Sequence, residues 1–98
     1  MTIEKQSDGT QLIISLEGRL DTTTAPMLES ELKQSLNSIT ELVFDFSKLE
    51  YISSAGLRIL LAAQKIMSKK GNMEIRNIND VVAEVFEITG FSNILTIV

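Results

Sequence analysis

Two adjacent hydroxyls, Ser53 and Ser54, stand where an apolar segment gives way to a long amphipathic one, in the run Phe44-Asp45-Phe46-Ser47-Lys48-Leu49-Glu50-Tyr51-Ile52-Ser53-Ser54-Ala55-Gly56-Leu57. A serine at the mouth of a helix has two uses. It can accept a hydrogen bond from one of the helix's unpaired N–H groups, a cap that contributes about 1 kcal/mol. It can also carry a phosphate ester, because backbone donors and the helix dipole favour an anion there. Both readings are open for this pair. Three features weigh toward modification. The serines follow a buried strand, at the carboxyl end of what reads as a parallel sheet, where α/β domains place their ligand sites. Two hydroxyls are present where one cap suffices. Ala55 and Gly56 put no bulky side chain over the approach.

Asp21 is the second candidate. It is either a turn residue or N-cap ahead of Thr22-Thr23-Thr24, or a carboxylate placed beside Ser54. In the second role it would orient the free hydroxyl and repel an added phosphate, which brings roughly −1.5 to −2 charges. Arg58, one turn beyond Ser54, faces away from the apolar stripe and is either solvated or available to a partner. Asp45 and Glu50 invite comparison with a catalytic carboxylate pair, but Asp45 sits within a strand and no further residue supports acid–base work. Gly18 and Gly56 lack the spacing and the lysine of a phosphate-cradling loop, which argues against a nucleotide-binding enzyme. The methionines, Phe86 and Phe91 read as packing residues.

Composition narrows the choice further. The 98 residues suffice for one hydrophobic core. With neither cysteine nor histidine the chain has no disulfide, no thiolate metal site and no imidazole base, which removes the common nucleophilic triads. A net charge of −4 with dispersed basic residues argues against nucleic-acid binding. No signal-peptide pattern and no apolar run of membrane-spanning length is present, so a cytoplasmic protein without membrane insertion is expected.

The elements that must position these residues read as β-β-α-β-α-β-α-β. Residues 2–6 and 11–17 alternate as strands around the turn Ser7-Asp8-Gly9-Thr10. Ala25, Leu28, Leu32 and Leu36 form the buried stripe of a first helix, with Thr22, Thr23 and Thr24 as candidate caps and Glu29 and Glu31 complementing its positive end. Residues 41–46 read as a central strand covered on both faces. A second helix runs from near Ser54 to about Lys70, with Lys69 and Lys70 complementing its negative end and Gly71 as a left-handed stop. Residues 73–78 form a strand, Asn79 or Asp80 caps a third helix ended by Gly90, and residues 94–98 form a short last strand. Helical crossovers favour a parallel core, and the opening hairpin adds an antiparallel edge. The expected fold class is α/β, a mixed sheet with helices packed on it.

From Asp45 to Leu60 the chain resembles the signature of the STAS family, the anti-sigma factor antagonists. Asp45, Ser47, Tyr51, Ile52, Ser54, Gly56 and Leu57 match that pattern, and Gly18-Arg19-Leu20-Asp21 resembles the family's second characteristic segment. The order of elements matches over almost the whole chain. The resemblance implies a single STAS domain over residues 1–98, without cofactor or metal and without catalysis of its own. It implies that Ser54 is phosphorylated by the partner, with Ser53 as an alternative acceptor because it stands where phosphorylated members often carry aspartate. The implied partners are an anti-sigma factor that is a GHKL-type serine kinase using its own ATP and Mg²⁺, and a serine phosphatase. The implied contact surface comprises Asp21, Thr22, Thr23, Thr24, Ser53, Ser54, Ala55, Gly56 and Arg58. The alternative is an unphosphorylated STAS adaptor within a transport or sensory assembly.

Overall fold

The structure, a computed structural model, describes residues 1–98. Strands β1 (Thr2–Asp8) and β2 (Gln11–Leu20) form an antiparallel hairpin. Helix α1 (Ala25–Ser35) and a 3-10 turn (Leu36–Ser38) lead to β3 (Glu41–Ile52), which pairs with β2 in parallel. Helix α2 (Ser54–Met67) crosses to β4 (Asn72–Arg76), parallel to β3. Helix α3 (Asp80–Thr89) and a second 3-10 turn (Phe91–Asn93) complete the chain. The sheet order is β1-β2-β3-β4, so each crossover steps to the neighbouring strand in the same direction. Right-handed crossovers of that kind lay α1 and α2 on one face.

One core results. Leu12, Ile14 and Leu16 of β2, Leu42, Phe44 and Phe46 of β3, and Met73 and Ile75 of β4 meet Leu28 and Leu32 of α1, Leu57, Leu60 and Met67 of α2, and Val82 and Phe86 of α3. The stripe Ala25-Leu28-Leu32-Leu36 is buried throughout, as its spacing predicts. β3 is central but covered on one face only. Of Ile13, Ser15, Glu17, Val43, Asp45 and Glu74, which point the other way, Val43 alone is buried. Its apolar run reflects a central position rather than a second layer of helices.

The largest departure from the sequence reading is the length of β3. It continues to Ile52 through residues that read as a polar connection. Its inward residues are Phe46, Leu49 and Ile52, three apart rather than two, because the pairing with β2 shifts between Ser15 and Glu17 and again between Gly18 and Arg19. Each shift adds a residue to β3, as a β-bulge does. β2 likewise runs on to Leu20 instead of ending before Gly18. The last expected strand is reduced to a single parallel bridge, Ile75 to Ile97.

Three terminal assignments also change. α2 ends at Met67, and Lys70 donates to the Leu36 carbonyl at the end of the α1 segment rather than to its own helix. Gly71 is not left-handed; a Cβ there would lie 1.7 Å from the Thr40 carbonyl oxygen, so glycine is required by a close backbone approach. Glu29 and Glu31 lie beyond the first turn of α1, and Glu31 pairs instead with Lys5 of β1 at 2.6 Å.

Candidate functional site

The parallel register brings the ends of β2 and β3 together. Leu20 faces Ile52, and the Ser53 amide donates to the Leu20 carbonyl at 2.9 Å. The chain therefore leaves β2 into the Asp21–Thr24 loop right beside the point where β3 enters α2. A shallow hollow of about 370 Å³ joins the two, lined by Thr22, Ala25, Pro26, Ala55 and Arg58 among others.

The two serines differ sharply. Ser53 occupies the N-cap position with extended backbone, but its hydroxyl caps nothing. Its Oγ is sealed from solvent and has no hydrogen-bond partner. Ser54 is the first residue of α2 and is exposed. Of the expected pair, one hydroxyl is accessible.

Gly56 does not keep the approach to the hydroxyls open. It is buried, and a Cβ on it would come within 2.7 Å of Leu20 Cγ and 2.8 Å of Ile52 Cγ1. Its lack of a side chain lets α2 sit directly on the strand ends, so it shapes the site from below and presents nothing to a partner. Ala55 is half-buried at the hollow, and Arg58 is exposed as its helical position predicts.

Asp21 organises its own loop. Its Oδ1 accepts from the Thr23 hydroxyl at 2.7 Å and from the Thr23 and Thr24 amides at 3.0 and 3.2 Å. In return Thr24 Oγ1 accepts from the Asp21 amide and donates to the Arg19 carbonyl, each at 2.8 Å. This reciprocal pattern resembles a capping box ahead of α1. The Thr23 hydroxyl, followed by the loop amides, holds the Asp21 carboxyl below the ordinary value of 3.8, against the opposing effect of burial. The expected bond from Asp21 to Ser54 is absent; the hydrogen bonds that the Asp21 carboxylate accepts all fall on Oδ1 and all come from its own loop. Thr22 and Thr23 are exposed and Thr24 is half-buried.

Asp45 is likewise structural. It accepts from Asn77 Nδ2 and from the Ser47 amide, both at 3.0 Å, so it pins the first bulge of β3 to the end of β4. The Asn77 bond, then the Ser47 amide, lowers its pKa below the ordinary range. Two neighbours of the site, read from sequence only as motif positions, meet here. The Arg19 guanidinium lies 4.5 Å from the centre of the Tyr51 ring, and Arg19 Nε is 3.8 Å from Asp21 Oδ2. Only the strand register, which sets Arg19 opposite Tyr51, makes that cluster visible.

Comparison with known proteins decides the family. The profile of the STAS domain matches residues 2–98. The chain belongs to the STAS domain family. A relative in this family, BtrV of Bordetella bronchiseptica, carries the provisional name of anti-sigma factor antagonist. It is 37% identical over 99 residues, covering 99% of this chain and 84% of the relative. The crystal structure of an anti-sigma factor antagonist from Mycobacterium paratuberculosis superposes with a TM-score of 0.89 at 25% identity, over 98% of this chain and 83% of that one. The phosphorylated form of the Bacillus cell fate determinant SpoIIAA shares the STAS fold with a TM-score of 0.77 at 16% identity, over 99% of this chain and 91% of that one. The four-stranded mixed sheet with three helices is the STAS architecture. No helix of this STAS domain is long and apolar enough to cross a membrane.

Proposed function

We propose that this chain is an anti-sigma factor antagonist whose unmodified form binds an anti-sigma factor and frees a sigma factor. The observation that carries the reading is the exposed Ser54 hydroxyl at the N-terminus of α2, beside the Asp21–Thr24 loop. The names of the relatives point to the same activity, and a phosphorylated form exists for one structural neighbour. In this reading the anti-sigma factor is also a GHKL-type serine kinase working in the cytoplasm. Ser54 Oγ attacks the γ-phosphorus of the kinase's ATP, the bond to the β-phosphate oxygen breaks, and ADP leaves. The hydroxyl proton passes to a base of the kinase.

The switch is electrostatic. A neutral hydroxyl is cheaply desolvated at a protein interface, whereas a phosphate of nearly two negative charges is not. The helix dipole favours that phosphate's charge in the free protein, where water also solvates it. A serine phosphatase restores the binding form. Ser53 is disfavoured as the acceptor, because its Oγ would have to leave a sealed position to reach a kinase.

The test uses the kinase partner with the intact chain. Ser54→Ala is expected to bind but accept no phosphate, and Ser54→Asp to bind more weakly. Phosphate incorporation into Ser54→Ala at the wild-type level would overturn the site. Unmodified protein with no affinity for any anti-sigma factor would overturn the function.

A further inference from the structure

Charge is unevenly placed in this molecule. All nine basic residues lie at or before Arg76, whereas Asp80, Glu84 and Glu87 lie on α3. The helix is acidic along its length, without one cation from Asn77 onward. Apolar exposure follows the same division. Val81 is 51% exposed and Ile88 77%, and beyond the helix Ile94 and Val98 are 49% and 65% exposed. Four of the six exposed large hydrophobic side chains thus fall within residues 81–98.

Helical periodicity relates the two patterns. Val82 and Phe86, both fully buried, mark the inward side of α3. Val81, Val85 and Ile88 follow at i, i+4 and i+7 on one flank, and Asp80, Glu84 and Glu87 share the adjoining outer flank. Isolated exposed hydrophobics need no explanation. Here exposed Val81 and Ile88, joined by half-buried Val85, form a stripe along α3, bordered by a ridge of carboxylates.

That surface is complementary to a helix with an apolar stripe edged by Lys or Arg. We propose that the Val81–Val85–Ile88 face of α3 is a second docking surface, for a basic amphipathic helix of a partner protein. A second copy of the chain fits poorly there. A two-fold contact of α3 on α3 would bring the carboxylates of both copies together with no cation between them. The surface lies on a different helix from Ser54, and the proposal does not depend on the phosphorylation reading.

The experiment is a titration of the intact, isotope-labelled chain, followed by amide chemical shifts. Its probe is a designed helical peptide of Leu and Lys, with a Leu and Glu peptide of the same pattern as control. The Leu/Lys peptide is expected to shift the amides of residues 80–88 and to bind more weakly as salt rises. The double change Val81→Ser with Ile88→Ser is expected to cut affinity by about tenfold or more, since both exposed apolar side chains of the stripe are removed. Glu84→Gln with Glu87→Gln is expected to flatten the salt dependence instead. Both variants should melt like the wild type, because all four side chains are exposed. Shifts centred elsewhere, such as the open sheet face around Glu17 and Asp45, would overturn the proposal. Undiminished affinity in the Val81/Ile88 variant would do the same. Self-association of the free chain that this variant abolishes would assign the face to a second copy and overturn the partner named here.

Discussion

Helices α2 and α3 start from nearly the same backbone and treat it in opposite ways. Ser53 has φ −102° and ψ 177°, and Asn79 has φ −86° and ψ 176°. Asn79 uses both ends of its amide. Its Oδ1 accepts from the Val82 N–H at 2.8 Å, and its Nδ2 donates to the Leu49 carbonyl at 2.9 Å, tying α3 to β3. Ser53 uses its hydroxyl for nothing, although that oxygen is shut away from water. A buried polar group left unpaired costs about 1–3 kcal/mol. The difference separates a helix start that serves stability from one left incomplete beside an exposed hydroxyl. At α2 no side chain occupies the first-turn N–H groups, so they remain available to an anion on Ser54.

Perturbations of the two starts sharpen this contrast, and the largest effect belongs to Ser54. Ser54→Ala should abolish phosphate uptake from the kinase, and Ser54→Asp should weaken partner binding by about tenfold or more, as charge placed in an interface does. Kinase assays and calorimetric titration measure the two. Neither change should shift the melting temperature appreciably, because the side chain is exposed.

Gly56→Ala comes next. Its new methyl would collide with Leu20 and Ile52, side chains that are themselves fully buried. Overpacking of this kind costs about 1–3 kcal/mol, readable from urea unfolding. Asn79→Ala should cost about 1–2 kcal/mol by loss of the cap, with kinase recognition at Ser54 unchanged. Ser53→Ala is the opposite case. With no hydrogen bond to lose and an unpaired buried oxygen removed, the variant should be at least as stable as the wild type, by up to about 1–3 kcal/mol. A large loss at Ser53 would erase the distinction drawn between the helices.

The smallest effect is a pH dependence at the neighbouring loop. Hydrogen bonds from Thr23 and Thr24 depress the Asp21 pKa, so its contribution to stability is complete above 3.8. That contribution is lost as pH falls through the lower, folded-state value. The stability gap between wild type and Asp21→Ala should therefore be constant near neutrality and narrow below pH 3.8. Denaturant midpoints across an acid series would show it. A gap that widened on acidification would contradict the assignment of the Asp21 hydrogen bonds.

Much of the fold was legible in local pattern. The hairpin at Asp8-Gly9, the α1 stripe, the Asn79 start and the Gly90 end of α3 all depend on residues close in sequence. β3 reads short because its two bulges break the alternation of inward residues at Ser47-Lys48 and Glu50-Tyr51, which resembles a loop. Gly71 reads as a helix stop from its own neighbours, because its actual constraint comes from Thr40, a residue distant in sequence. At the site, Ser54 and Arg58 stood out correctly as surface residues of a helix start. The roles of Gly56 and Ser53 did not, since both depend on what lies beneath them.

Residue types and short-range spacing alone determined the α/β element order, the family signature and the presence of two hydroxyls at a helix mouth. These rest on helical and strand periodicity and on turn chemistry, all of which act over a few residues. Only the tertiary structure decided which hydroxyl faces solvent, how closely Gly56 is enclosed, and that α3 leaves an apolar flank uncovered. The first two depend on the register of β2 against β3 and on how closely α2 settles onto Leu20 and Ile52, and the third on which side of α3 Val82 and Phe86 bury. Burial is a property of neighbours brought together by folding, and no single segment carries it.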